Sequence, residues 1–365
     1  VSSSPAELEQ ALVETTLELV RIPSVTGDER AICDAVEVRL RRALPAGRVL
    51  RFRDTLVAWP WPRRPGRPVV GLFGHLDTVP DHDHGVAHVE DGRIFGCGVS
   101  DMKAGVAVML ELIERLGPDA CAADLCAVFY EAEEGPYDAN GLQPLLEATP
   151  ELRDIDLAFC LEPSNNRLQL GCVGGIHCTL TFSGRRAHSA RPWQGDNAVH
   201  KAGPLLTRLH ERQRVEARFG DLSYYEVMSV TMVEAVGARN VIPDRFALNL
   251  NYRFAPGKSL DAAKADIEAL VAGECAIEWT DLSPSGPVWR DNPLLAPLLS
   301  DPDVPHEPKQ AWTDVARLAL FGIEAVNLGP GESAQAHQRG ESCAVSLITE
   351  GYAMFDAYLR GLSVG

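Results

Sequence analysis

The stretch Val69-Val70-Gly71-Leu72-Phe73-Gly74-His75-Leu76-Asp77 is an apolar run that ends in a histidine and an aspartate. A run that is continuous rather than alternating marks a strand covered on both faces, the habit of a parallel sheet. Three other runs share this form: Leu125 to Tyr130, Leu157 to Leu161 and Ala325 to Leu328. Helical patterns from about Lys103 to Leu116 and from Asp314 to Phe321 separate or precede them, and Ser4-Pro5-Ala6-Glu7 has the form of a capping box that opens a first helix. The order predicts an α/β fold with a mostly parallel sheet.

The middle of the chain has a different rhythm. Strand-like Cys178 to Phe182, a helix from Asn197, strands near Glu226 to Val233 and Phe246 to Phe254, a helix from Leu260 and a strand Ala276 to Trp279 spell β-α-β-β-α-β. Such a string packs as a four-stranded sheet with two helices. We therefore expect an inserted domain over 174–285, flanked by the two parts of the larger domain, 1–173 and 286–365. Pro60 to Pro68, rich in proline and arginine, reads as a surface loop.

Composition narrows the function. The 365 residues, 45% of them hydrophobic, are enough for two cores, and the formal net charge of −17 argues against nucleic acid, whose phosphates need an excess of Lys and Arg. No apolar run reaches the length of a membrane span, and no leader-like segment opens the chain, so a cytoplasmic location is expected. The nine cysteines form no CxxC pair and read as buried, reduced thiols.

In an open α/β sheet, ligands bind beyond the carboxyl ends of the strands. The residues found there are His75 and Asp77, Glu133 and Glu134, Glu162 and His337, with Asp101 just ahead of the Lys103 helix. Each has a plain alternative: a hydrogen-bonded histidine, a solvated acidic loop over Glu131 to Glu134, or an N-cap at Asp101. Together they are harder to explain without cations, because clustered carboxylates repel one another. Imidazole and oxygen donors without thiolate fit Zn2+, with Co2+ or Mn2+ possible. Two such ions would leave one positive charge against three ligand carboxylates, which a hydroxide would neutralise while serving as nucleophile. Asp77, two residues from His75, is better placed to orient the imidazole than to bind metal. Of Glu133 and Glu134, one can bind metal and the other move a proton, and spacing does not say which. Asp81-His82-Asp83-His84-Gly85 also gathers ligand types, but consecutive residues in a loop rarely close a tetrahedral shell, and a solvated loop is the better reading.

The motifs Gly74-His75-Leu76-Asp77-Thr78-Val79-Pro80, Gly96-Cys97-Gly98-Val99-Ser100-Asp101-Met102-Lys103, Glu131-Ala132-Glu133-Glu134-Gly135, Leu161-Glu162-Pro163, Arg186-Ala187-His188-Ser189 and Ala336-His337 stand in an order that resembles the zinc aminoacylase and exopeptidase family. That resemblance implies a zinc-exopeptidase-like catalytic domain with an inserted dimerisation or lid domain. It implies that His75 and Glu162 hold one zinc, that Glu134 and His337 hold the other, and that Asp101 bridges them across a cis Asp101-Met102 peptide. Glu133 becomes the general base and Asp77 its neighbour in catalysis. His188 of a homodimer partner would steady the oxyanion, while Asn240 and Arg253 would meet a substrate carboxylate.

Within the family, His188-Ser189-Ala190-Arg191, Gly195-Asp196-Asn197-Ala198-Val199-His200-Lys201 and Trp312-Thr313-Asp314 resemble the actinobacterial desuccinylase branch. The implied reaction removes a succinyl group from an N-succinyl amino acid such as N-succinyl-diaminopimelate. Acetylornithine-type deacetylase, aminoacylase and dipeptidase are the alternatives, and a non-catalytic scaffold is disfavoured because all five ligands and Glu133 are present. Two departures, Cys172-Val173-Gly174 in place of Arg-Arg-Gly and Trp312 in place of a small polar residue, bear on the acyl group. Arg191, three residues after His188, and Thr313 are the candidates to contact it.

Overall fold

Val69–His75 forms a strand buried along its whole length in the computed structural model, which describes residues 4–80, 85–235 and 237–362. The Asp81 to His84 run lies outside the described residues. Asp124–Tyr130 and Leu157–Cys160 pair with Val69–His75 in parallel on its two sides, and Ala325–Asn327 continues the parallel pairing beyond Leu157–Cys160. These four strands are the centre of an eight-stranded sheet. Arg48–Phe52 and Thr55–Trp59 close one edge antiparallel, and Leu168–Leu170 and His306–Pro308 close the other. The α/β architecture expected from the sequence is therefore present, with its parallel strands inside and shorter strands at the margins. The edge hairpin escaped the sequence reading because arginines interrupt Arg48–Phe52, which is only half-buried.

Helix Pro5–Val20 begins at the predicted capping box: Glu7 N–H donates to Ser4 Oγ, and Ser4 N–H donates to Glu7 Oε2 at 2.7 Å. It packs with Ala104–Arg115 and Val345–Gly361, and Ala104–Arg115 lies against Val69–His75. Ala104 to Ile113 are all buried, which explains why this helix carries so little polar surface. Gly105 is needed for its closest approach to the sheet, since a Cβ there would stand 2.4 Å from the Leu161 carbonyl oxygen. Seven of the nine cysteines are buried, and all are free. The Pro60 to Pro68 loop is pinned at its base by Trp61 Nε1–H and Arg64 Nε–H, both donating to Asp124 Oδ1.

The chain divides into two compact units, the first running to Leu170 and including 289–307 and 317–365, the second comprising 171–288 and 308–316. The second unit is an antiparallel sheet in the order Val215–Phe219, Leu222–Ala235, Arg245–Phe254, Gly174–Ser183, Ala276–Ser283. Ile176, Leu180, Phe182, Leu205, Leu248, Leu250 and Ile267 are fully or almost fully buried in its core, each contributing about 1.5–3 kcal/mol. Asn197 and Ser259 cap the helices, as their side chains accept from Val199 N–H and Ala262 N–H. The sheet has five strands, not the four expected. Val215–Phe219 forms a hairpin with the next strand through the two-residue loop Gly220-Asp221, where Gly220 has φ 65°. Its Glu and Arg side chains hide the strand pattern, although the Gly-Asp turn was a legible signal.

Candidate metal centre

Parallel pairing brings the strand ends to one edge, and register sets their level. His75 lies opposite Tyr130, and Cys160 lies opposite both Phe73 and Asn327. Glu162, two residues past Cys160, is thus level with His75. The neighbours of Val69–His75 come from later in the chain on both sides, so the strand order reverses here, the place where α/β sheets open a crevice. Asp101 arrives from the segment Val99–Lys103, in which Asp101 and Met102 have non-helical backbone angles and the Asp101-Met102 peptide is cis.

Two donor sets share Asp101. The ligand atoms of His75, Asp101 and Glu162 lie within 4.8 Å of one another, and so do those of Asp101, Glu134 and His337. The oxygens of Asp101 are divided between the imidazoles, with Oδ1 3.2 Å from His75 Nε2 and Oδ2 3.5 Å from His337 Nε2. His337 Nε2 is also 2.9 Å from Glu134 Oε1. A third set, His75, Glu133 and Glu134, brings the other glutamate of the pair to the same place.

The field of this cluster favours positive charge. Burial disfavours a charged His75 ring, but Asp101 and Asp77 outweigh it and raise the pKa well above the ordinary value. Hydrogen bonds with Asp101 and Glu134 lift His337 to about 10. Burial acts to raise Asp101, yet the two histidines hold its carboxyl well below the usual range. Imidazole nitrogens and carboxylate oxygens that gather this much negative potential at bonding separation suit a divalent cation of the zinc type. Among the described residues the donor sets include no thiol, and Cys97 Sγ–H is directed to the Val79 carbonyl.

Asp77 organises the surroundings more widely than the sequence indicated. The His75 Nδ1 atom is 3.0 Å from the Asp77 carbonyl oxygen and 3.4 Å from its carboxylate. That carboxylate accepts from Glu133 N–H at 2.9 Å, Glu134 N–H at 3.0 Å and Thr26 Oγ1–H at 2.9 Å. Glu29 extends the same grip, accepting from Ala132 N–H at 3.1 Å and Gly27 N–H at 2.8 Å. Burial, and to a lesser degree Asp77, push the Glu29 carboxyl up. Glu29 and a second buried carboxylate, Glu341, went unnoticed in the sequence, because an acid that binds backbone amides needs no partner motif.

The remaining candidates belong to the second unit. His188 is exposed on the short strand Ala187–His188, its Nδ1 accepting from Ala190 N–H, and it pairs in register with Val241. The Asn240 carbonyl accepts from Ser189 N–H, and Arg191 N–H donates to the His188 carbonyl, so these residues form one small turn-rich cluster. Arg253 is half-buried on Arg245–Phe254, and burial lowers its pKa. Thr313 is buried beside Cys172, its Oγ1 without a hydrogen-bond partner, while Trp312 Nε1–H donates to the Pro284 carbonyl.

An α/β sheet whose switch point gathers imidazoles and carboxylates in this way has the donor set of a metal-dependent hydrolase. Residues 71–361 match peptidase family M20/M25/M40, and the chain belongs to that family. A succinyl-diaminopimelate desuccinylase of Corynebacterium glutamicum is 37% identical over 357 residues, covering 94% of this chain and 95% of its own. A tripeptidase from Staphylococcus aureus shares the fold with a TM-score of 0.79 at 19% identity, over 96% of this chain and 98% of that one. A dinuclear metal-binding M20 peptidase from Bacillus subtilis does so with a TM-score of 0.68 at 16% identity, over 97% and 98%.

Proposed function

We propose that this protein hydrolyses N-succinyl-diaminopimelate to succinate and diaminopimelate, a step of lysine and cell-wall precursor biosynthesis, with two Zn2+ ions. The observation that carries the metal assignment is the pair of donor sets that meet at Asp101. His75 and Glu162 would hold one ion and Glu134 and His337 the other, with Asp101 common to the two donor sets. The desuccinylase relative at 37% identity supports the substrate. The reaction's place in amino-acid biosynthesis carries with it a cytoplasmic location.

Bound there, the ions would supply positive charge to polarise the amide and would lower the pKa of a water. Glu133 accepts the proton of that water and passes it to the leaving amine nitrogen. Asp77 fixes the backbone from which Glu133 and Glu134 project, so that the base and its neighbouring ligand keep separate tasks. His188 of the partner subunit donates to the oxyanion. Arg253 and Asn240 take a substrate carboxylate, a role for which a guanidinium fork is suited. Arg191 and Thr313 are the candidates to contact the succinyl group.

Dimerisation of the second unit is favoured by an open strand edge. Leu222–Ala235 is covered by Val215–Phe219 only as far as Glu226, and among the described residues no strand pairs with that side of Val227–Ala235. Val227, Met232 and Val233 are exposed on it. Such an edge is a template for a second copy.

The test is a panel of N-acyl amino acids assayed with zinc-loaded protein, with Glu133→Ala as the blank. Release of succinate from N-succinyl-diaminopimelate, at least tenfold faster in kcat/KM than release of acetate from N-acetylornithine, is the expected result. Preference for acetyl substrates or dipeptides would overturn the assignment.

A further inference from the structure

Glu341 is 1% exposed and lies four residues after His337, in the loop that leads to strand Ser342–Ala344. Its carboxylate points away from that loop and grips another. Oε1 accepts from Ser100 N–H at 2.7 Å and Asp101 N–H at 3.0 Å, and Oε2 accepts from Gly98 N–H at 2.8 Å. Its backbone carbonyl accepts from Gly96 N–H at 3.1 Å. One residue thus takes four amides of the segment that delivers Asp101. Such charge-assisted bonds are the strong ones, and burying a carboxylate without them would be costly.

The two donor sets do not have equal support. His75 is fully buried on a central strand and has Asp77 behind its ring, and Glu162 follows a second central strand directly. His337 sits in a loop with φ 60°, its side chain about half exposed (51%). Its ring meets Glu134 and Asp101, the groups it would share a metal with. The Glu341 carboxylate ties the His337 loop to the Asp101 turn through three amides, beside Ser100 Oγ, which donates to the Ser342 carbonyl at 3.0 Å and accepts from Glu332 N–H at 3.1 Å.

We propose that Glu341 is a positioning residue that fastens the loop carrying His337 to the turn carrying Asp101, and so sets the affinity of the metal position formed by Asp101, Glu134 and His337. The inference rests on the two-metal reading above. Glu341 touches neither substrate nor metal, and it acts by fixing the separation of two ligands that come from distant parts of the chain.

The experiment is a zinc titration against a chromophoric chelator on wild type and E341Q, with stoichiometry by equilibrium dialysis. The glutamine keeps the size and one acceptor oxygen, but sets an N–H2 group against Gly98 N–H. Wild type is expected to take two zinc ions. In E341Q the weaker position should lose tenfold to a hundredfold in affinity, the range seen for outer-shell partners, while the tighter one changes by less than about threefold. Saturating zinc should then return most of kcat. E341D, which keeps the charge but falls one methylene short, provides the same test if E341Q does not fold. Asp124→Asn, at the amino-terminal end of a central strand whose far end meets the centre, serves as a control that lowers stability without altering the ratio of the two affinities. Equal weakening of both positions, or no weakening, overturns the role of Glu341. A wild type that binds fewer than two ions overturns the two-metal reading itself.

Discussion

Asp77→Asn isolates what one buried carboxylate contributes to the centre. Asp77 is 0% exposed and accepts from Thr26 Oγ1–H, Glu133 N–H and Glu134 N–H. Its pKa is lowered, since burial is outweighed by His75 and the two amides, so the group is ionised at neutral pH. Asparagine preserves the shape and one acceptor oxygen, and turns the other oxygen into a donor facing a donor. Losing one charge-assisted bond and stranding one buried N–H costs roughly 2.5–6 kcal/mol, from about 1.5–3 for the first and 1–3 for the second. The metal-free variant should unfold in urea with a free energy lower by that amount, followed by circular dichroism. Its zinc affinity should fall 10- to 100-fold, or about 1.4–2.8 kcal/mol, because the His75 ring and the Glu133-Glu134 backbone lose their common brace. An unfolding midpoint equal to that of wild type, together with unchanged zinc affinity, would refute the reasoning.

Glu133→Gln should lower kcat by about 10²- to 10⁴-fold, the range of general acid–base catalysis, while zinc content measured by atomic absorption stays at the wild-type level. Chelation should lower the melting temperature as well as abolish activity, since zinc at 100 times its dissociation constant stabilises the folded state by about 2.7 kcal/mol; an unchanged melting curve would argue against bound metal. Glu111 offers a pH test away from the centre. Burial raises its pKa, but Thr15, Arg115 and Arg39 together hold it below 4.5. A depressed carboxylate contributes stability that is present above 4.5 and lost as the pH falls through its folded value. Urea titrations of metal-free protein should therefore show a shallower loss below about pH 4.5 in Glu111→Gln than in wild type.

Runs such as Val69 to Phe73 and Leu125 to Tyr130 were legible because a strand buried on both faces has no room for polar side chains, and the residues after each run had to meet at one sheet edge once the strands were parallel. His75, Glu133, Glu134 and Glu162 follow from that rule alone. The fifth strand of the second unit did not, because an exposed margin strand such as Val215–Phe219 is free to carry charge. Cluster membership was thus readable from linear order, since backbone pairing converts sequence position into place along an edge.

What holds the cluster in shape was decided only by the tertiary structure. The Glu133 and Glu134 N–H groups donate to the Asp77 carboxylate, and the acids that anchor Ala132 and Asp101 come from residues 29 and 341. Their acceptors are matched to main-chain N–H groups, which every residue but proline possesses. A carboxylate aimed at a side chain leaves a partner that can be sought in the sequence; one aimed at the backbone leaves none, and its role emerges only when the chain has folded around it.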